Sequence, residues 1–344
     1  MAVTVVVGGQ YGSEGKGKVA QHLAAEQHAS AVIRVGGSNS GHTGRIVAGK
    51  SVILRQLPTA ALLPDVLCVL GAGSYIDVSI LLEEIDRVQL PASRLVIDAN
   101  AMMITADDRL AESASGIKER IGSTGSGTGS AVARRVARNA AVLASDIAEL
   151  APYVEDVPQR LRDILDGGGR VIIEGTQGYG LSLLHSPHYP KVTSRDTTAA
   201  SAVSEAGLSP LDVDQVVLVL RAFPIRVAGN SGAFGSEELS WDAIAREGGH
   251  SEDLAEYTSV TLRLRRVARF DPFVVRRAIA CNQPSLIVLN HVDYVDARCA
   301  MGALTEKSKS FVDDVAERIG QPVDLVGLGP DVLLPYRRAT ALAA

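Results

Sequence analysis

The feature that most narrows the fold of this chain is a run of glycines that begins where an apolar strand stops. Val3–Val7 leads into Gly8-Gly9-Gln10-Tyr11-Gly12-Ser13-Glu14-Gly15-Lys16-Gly17-Lys18, and a helical pattern follows from Val19 to Gln27. A strand that feeds a helix through such a loop turns successive backbone N–H groups toward one anion, and the helix N-terminus adds its dipole. Lys16 and Lys18 bring the charge that a nucleotide's phosphates need, with Gly12, Ser13, Glu14, Gly15 and Gly17 around them. The string is not an ordinary P-loop, because its spacing is longer and Gly17 stands where a Ser or Thr usually touches Mg²⁺. The strand–loop–helix context sets it apart from a plain glycine-rich turn.

Further short apolar runs recur at Val66 to Leu70, Val171 to Ile173, Val216 to Leu220 and Leu286 to Leu289. Near-continuous runs of this length fit strands buried on both faces. Helical patterns at Ile80 to Val88, Ala131 to Leu143 and Pro272 to Cys281 alternate with them. The alternation predicts an α/β fold with a central, mostly parallel sheet flanked by helices, P-loop-like in its nucleotide-binding end. No Pro- or Ser-rich linker and no internal repeat interrupts the chain, so one domain is expected over 1–344. With 344 residues, 46% of them hydrophobic, a full core is within reach. Ligands in such sheets bind beyond the carboxyl ends of the strands. A second Gly-rich loop after Ile173 and Asn290-His291-Val292-Asp293 after Leu289 fall there.

Composition removes several classes of partner. A net charge of -5 and an aromatic content of 4% disfavour nucleic acid as a standing partner. No apolar run approaches ~18 residues, so no membrane span is expected. The start MAVTVVVGG lacks the basic region of a signal peptide. Cys68, Cys281 and Cys299 are odd in number and widely spaced, with neither a metal pattern nor a disulfide frame. These features predict a cytoplasmic protein acting on small anions.

More motifs follow the first in fixed order: Gly36-Gly37-Ser38-Asn39-Ser40-Gly41-His42-Thr43, Ser123-Thr124-Gly125-Ser126-Gly127-Thr128-Gly129, Glu174-Gly175-Thr176-Gln177-Gly178, Tyr189-Pro190-Lys191-Val192-Thr193-Ser194, Arg263-Leu264-Arg265-Arg266 and Gly329-Pro330-Asp331. Together they resemble the adenylosuccinate synthetases along almost the whole chain. The resemblance implies that family's fold and a Mg²⁺-dependent ligase. A purine 6-oxo group leaves poorly, so O6 is first phosphorylated; the aspartate amine then attacks C6 and expels phosphate. Phosphoryl transfer needs metal, cationic neutralisation and in-line positioning more than covalent help.

Carried over by motif, the resemblance implies Ser13, Lys16, His42 and Gln177 as catalytic residues. His42 matches the general acid at O6, and Lys16 lies near the phosphate in transfer. Ser13 and the Gly41 carbonyl would face Mg²⁺. The donor nucleotide would meet Gly12 to Gly17, Gly41, His42 and Thr43, with Asn290, Asp293, Gly329 and Pro330 toward its base. Asn39, Ser123, Thr124, Gly125, Gln177, Thr193 and Arg265 match positions that hold the purine monophosphate. Arg138 matches an arginine that reaches the partner subunit's substrate, which implies a homodimer. Val260, Thr261, Arg263 and Arg265 match the L-aspartate site, where a guanidinium fork fits a carboxylate. The alternate spacing of Arg263 and Arg265 puts both on one face of an extended segment. Outside these motifs, His42 in its loop and Arg138 beside Arg134 and Arg135 would read as solvated residues.

The departures carry as much information. The family has Asp at Ser13, Thr and Gly at Val260 and Leu262, and Lys at His291. A serine hydroxyl is too weak an acid to serve as an anionic base for purine N1. A shorter side chain leaves room for a 2-amino group, and the whole pattern resembles a phage branch of the family. That branch acts on dGMP, with ATP or dATP as donor, to make the succino precursor of 2-aminoadenine deoxynucleotide. Two competing readings are an ordinary adenylosuccinate synthetase using IMP and GTP, and a nucleotide-binding regulator without ligase activity. A regulator has no use for aspartate-binding arginines.

Overall fold

The computed structural model describes residues 2–45, 51–258 and 262–336. Its frame is a ten-stranded sheet. In chain order its strands are β1 (Val3–Gly8), β2 (Ala31–Arg34), β3 (Leu67–Leu70), β4 (Leu95–Asp98), β5 (Val154–Glu155), β6 (Val171–Glu174), β7 (Val213–Arg221), β8 (Leu286–Asn290), β9 (Leu325–Leu328) and β10 (Val332–Pro335). Across the sheet they run β10-β9-β8-β7-β1-β6-β2-β3-β4-β5. Only β9 and β10 pair antiparallel; all other neighbours are parallel. This is the α/β fold expected from the alternation of runs.

The strand centre explains the apolar runs. All six residues of β1 are buried, with Val3, Val5 and Val7 on one face and Val6 on the other. The Val6 face is closed by the helix Lys16–Glu26 (α1), through Val19, Ala20 and Leu23. The opposite face takes Val274, Val275 and Ala278 of the helix Pro272–Asn282, and Val312, Val315 and Ile319 of the helix Glu306–Ile319. No helix among the described residues is long and apolar enough to cross a membrane.

Two elements differ from the sequence pattern. Strand β7 begins at Val213, ahead of the apolar run, because polar side chains there find partners. Asp214 pairs with Arg170 at 2.8 Å, and Gln215 Oε1 accepts from Gln27 Nε2 at 3.0 Å. The helix expected from Ala131 to Leu143 instead spans Thr128–Val136. Beyond it the backbone of Val142 and Leu143 is recruited by Met102 and Met103. A long-range backbone pairing overrides the local helical pattern there.

Strands β1 and β6 lie side by side, so the loops at their carboxyl ends touch. Gly180 N donates to Gln10 O at 2.7 Å. A Cβ on Gly178 would stand 2.6 Å from Gln10 O and 2.7 Å from Gly12 N, and would also strike Glu14 Oε1. We expect Gly178→Ala to lower stability by roughly 1 to 3 kcal/mol, the usual cost of overpacking. A urea denaturation midpoint unchanged from wild type would show that the two loops are not tightly apposed.

Candidate active site

The first loop is held from inside by Glu14. Its carboxylate is fully buried and accepts from Gln10 N at 3.2 Å, Gly12 N at 2.8 Å and Lys16 Nζ at 2.6 Å. Gly12, Ser13 and Gly15 have φ of 89°, 55° and 91°, a left-handed path that glycine adopts freely and serine seldom does. Asn290 Nδ2, at the end of β8, donates to Glu14 O at 2.8 Å and pins the loop to the sheet.

The loop floors a cavity of about 710 Å³. Eleven of the residues assigned by motif line it: Gly12, Ser13, Lys16, Asn39, Gly41, His42, Ser123, Thr124, Gln177, Thr193 and Arg265. Arg120, Lys191 and Arg226 add positive charge to the same wall. Glu112 is the one carboxylate among the lining residues, and its oxygens are occupied. They accept from Gly127 N at 2.8 Å, Gly129 N at 2.7 Å and Ser130 N at 3.3 Å, capping the helix Thr128–Val136. The cavity is thus cationic and hydroxyl-rich, suited to phosphate and carboxylate groups.

His42 stands against Glu174, with Nδ1 2.5 Å from Oε1. The other carboxylate oxygen accepts from Thr59 N at 2.9 Å and Thr59 Oγ1 at 2.8 Å. Burial, and next the Arg34 guanidinium, push His42 down from 6.5 to about 4. Burial opposes the charge on Glu174, yet contact with His42 and the nearby Arg34 together hold its carboxyl below the usual range. The pair is therefore a neutral imidazole donating through Nδ1 to a carboxylate, which leaves Nε2 for the cavity that His42 lines. An anion arriving there favours the imidazolium and opposes the shift.

Ser13 is exposed to the cavity and gripped twice. Arg221 Nη1 donates to its carbonyl at 3.0 Å, and Arg265 Nη1 donates to its hydroxyl. The motif resemblance implies Mg²⁺, and its fit can be judged from the donors. No group of three or more His, Cys, Asp or Glu among the described residues could hold a metal. Ser13 and Gly41 offer neutral oxygens at the cavity wall, which suit a hard ion that arrives with phosphate oxygens.

Several of the residues assigned by motif lie outside the lining of this cavity. Glu14 and Gly17 are internal parts of the loop: a Cβ on Gly17 would meet Thr59 and His42. Gly15 faces Asn290 rather than the cavity. Thr43 points outward from the hairpin that pairs His42–Arg45 with Ser51–Leu54. Gly125 and Arg138 do not line the cavity; Arg138 is exposed past the end of its helix, with φ 57°. Arg263 is exposed too, on a turn where its backbone pairs with Thr258. Val260 and Thr261 lie outside the described residues.

Asn290, Asp293, Gly329 and Pro330 are not among the residues that line this cavity. Lys18 Nζ donates to Gly329 O at 3.0 Å, and burial brings Lys18 down to about 8 against the pull of Asp293. Asn290 Oδ1 and Asp293 Oδ1 are buried without partners. Buried acceptors of this kind are costly unless a ligand's donors meet them.

Glu174, Arg34, Arg221 and Glu112 were not singled out from the sequence. A signal existed for the first three, since each is a charged residue that ends an apolar run. Nothing local marks Glu112.

A parallel sheet with an anion-binding loop at its carboxyl edge and a cavity of hydroxyls and guanidiniums defines a nucleotide-dependent enzyme of small anions. A family model described as adenylosuccinate synthetase matches residues 5–149 and 140–299. An adenylosuccinate synthetase of Thermococcus onnurineus is 38% identical over 337 residues, covering 95% of this chain and 96% of that protein. One of Methanocaldococcus jannaschii is 36% identical over 342 residues, covering 96% and 95%. Among solved structures, fully ligated adenylosuccinate synthetase from Plasmodium falciparum shares the fold at a TM-score of 0.85, with 21% identity over 98% of this chain and all of that one. Succinoaminodeoxyadenylate synthetase of cyanophage S-2L, bound to dGMP and to dATP as an energy donor, superposes at a TM-score of 0.82. It is 31% identical and covers 97% of this chain and 95% of that one. The chain belongs to the adenylosuccinate synthetase family and is a carbon–nitrogen ligase.

Two buried histidines contribute to the acid response. The unfolded chain takes up a proton at His42 near pH 6.5, whereas the folded chain does so only near 4. The unfolded state therefore binds more protons between those values, and stability falls as pH drops through the window. His291, lowered by burial and next by Arg221 to about 3, acts with the same sign. Melting temperature measured from pH 7 to pH 4 should decline, and His42→Gln should flatten the slope.

Proposed function

We propose that this ligase condenses dGMP with L-aspartate, using ATP or dATP, to give N6-succino-2-amino-2'-deoxyadenylate, phosphate and the nucleoside diphosphate. The observation that carries the reading is Ser13: a small hydroxyl at the cavity wall, with no unengaged carboxylate among the lining residues described. A guanine base needs space beside N1 for its 2-amino group, and a serine in place of the family's acid leaves that space. The likeness to the cyanophage synthetase that binds dGMP and dATP supports the same substrate and donor. A second reading, IMP as substrate and GTP as donor, is favoured by relatives at 36 to 38% identity that carry the name adenylosuccinate synthetase.

In either case the chain's own groups have the same work. Lys16 lies at the cavity wall next to the loop N–H groups, where it neutralises charge on the transferring phosphoryl group. Mg²⁺ bound with the phosphates near Ser13 and Gly41 would spread that charge further. His42 enters as general acid once an anion at its Nε2 edge raises its proton affinity, with Glu174 fixing the ring. Thr124, Thr193, Asn39 and Gln177 hold the monophosphate, and Arg265 receives a carboxylate of aspartate. Asn290 and Asp293 meet the donor's base.

Mass spectrometry of products from IMP, GMP and dGMP, each with aspartate, Mg²⁺ and ATP, tests the substrate. The succino adduct should form fastest from dGMP. Ser13→Asp should shift relative kcat/KM from dGMP toward IMP by about ten- to a hundredfold, because the added carboxylate crowds the 2-amino group. A wild type that prefers IMP, or a variant that prefers dGMP more strongly, refutes the reading.

A homodimer belongs to the same proposal. Arg138 is exposed and does not line its own cavity, as expected of a residue serving a partner's site. Mixing Arg138→Ala with His42→Ala protein should restore part of the activity through hybrid sites. No recovery despite proven subunit exchange would mean each site is built within one chain.

A further inference from the structure

Two guanidiniums converge on Ser13, and one carboxylate behind the cavity wall touches both. Glu256 Oε1 lies 2.5 Å from Arg221 Nη2, and Oε2 lies 3.4 Å from Arg221 Nη1 and 4.0 Å from Arg265 Nη1. The Glu256 carbonyl also accepts from Arg265 N at 2.8 Å. Glu256 itself does not line the cavity.

The two arginines are not equally free. Arg221 is fully buried, and the Gln10 side chain brackets its backbone, accepting from Arg221 N at 2.9 Å and donating to its carbonyl at 3.2 Å. Arg265 is partly exposed at the cavity wall. Like charges this close repel, and the mobile member would swing away unless an anion sat between them. Burial works against a charge on Glu256, but Arg221 and the other nearby cations outweigh it and hold the carboxyl at about 2. A third contact comes from the turn after β8, where Tyr294 donates its hydroxyl to Glu256 Oε1 at 3.1 Å.

We infer that Glu256 is a positioning residue for the ligase reaction: it fixes the Arg265 fork and the Ser13 hydroxyl at the orientation in which the aspartate carboxylate is received, and Tyr294 fixes Glu256. The inference rests on the reading of Arg265 as an aspartate ligand. It assigns the specificity for the amino acid partly to a group that never touches it. Because the Tyr294 side of the chain lies beside Asp293, the same carboxylate ties the aspartate end of the site to the turn that faces the donor's base.

The test is steady-state kinetics of the full-length protein with each substrate varied in turn. Glu256→Gln keeps the shape but removes the charge. It should raise KM for aspartate roughly ten- to a hundredfold, the scale of a lost charge-assisted hydrogen bond, while KM for the purine monophosphate stays within about threefold. Tyr294→Phe removes only the hydroxyl and should raise aspartate KM a few-fold in the same selective way. Its effect should vanish in a Glu256→Ala background, because the two act through one contact. Aspartate KM unmoved in Glu256→Gln, or full additivity of the two substitutions, overturns the proposal. If the Glu256 variants do not fold, Tyr294→Phe decides alone: an equal change in all three KM values, or none, is the overturning result. A wild type that is active but shows no saturation by aspartate would instead overturn the ligand role of Arg265.

Discussion

The site is organised by one carboxylate within its first loop. Glu14 sits fully buried beneath its own loop, gathering two backbone N–H groups and the Lys16 ammonium onto one charge. The attraction between Glu14 and Lys16 is largely offset by what it costs to desolvate both, so the pair adds little net stability. What it does is select one loop conformation. With Glu14 in place, Gly12 and Ser13 take their left-handed turn, Lys16 is kept at the cavity wall, and Asn290 reaches the Glu14 carbonyl.

Around this centre the sheet supplies a row of polar groups along its carboxyl edge. Arg34 ends β2, Glu174 ends β6, Arg221 ends β7 and Asn290 ends β8, all essentially buried. The register pairs Arg34 with Glu174 and Arg221 with Asn290. Each then organises one loop. Arg34 donates to Leu54 O, Leu57 O and Ser40 O, holding the segment that carries His42. Glu174 orients His42, and Arg221 holds Ser13. The reactive groups are loop-borne, but their supports are strand-borne, which gives mobile chemistry a rigid base.

Much of this was legible in the chain. The apolar runs located the central strands, because a strand covered on both faces must be apolar throughout. The motifs, read with their family resemblance, named eleven of the residues that line the cavity. Legibility failed where a residue's part depends on what meets it across the sheet. Glu14 sits within the same loop as Lys16, yet sequence could not tell a ligand contact from an internal brace. Arg263 and Arg265 share a spacing that predicts a common face, but only Arg265 lines the cavity. The helix expected to run to Leu143 stops at Val136, where Met102 and Met103 claim the following backbone.

Sequence by itself determined the class of fold, the family and the kinds of group the cavity would hold. Those follow from patterning along the chain and from short motifs, in which every needed residue is a near neighbour. Tertiary structure alone decided which charges are exposed to substrate and which are spent on one another. Glu112 on the turns of a helix N-terminus, Glu174 on His42 and Glu256 between two arginines are pairings over 15, 132 and 35 or fewer positions. No local pattern encodes them, because the energy of a buried charge depends on its neighbours in space rather than on its neighbours in the chain.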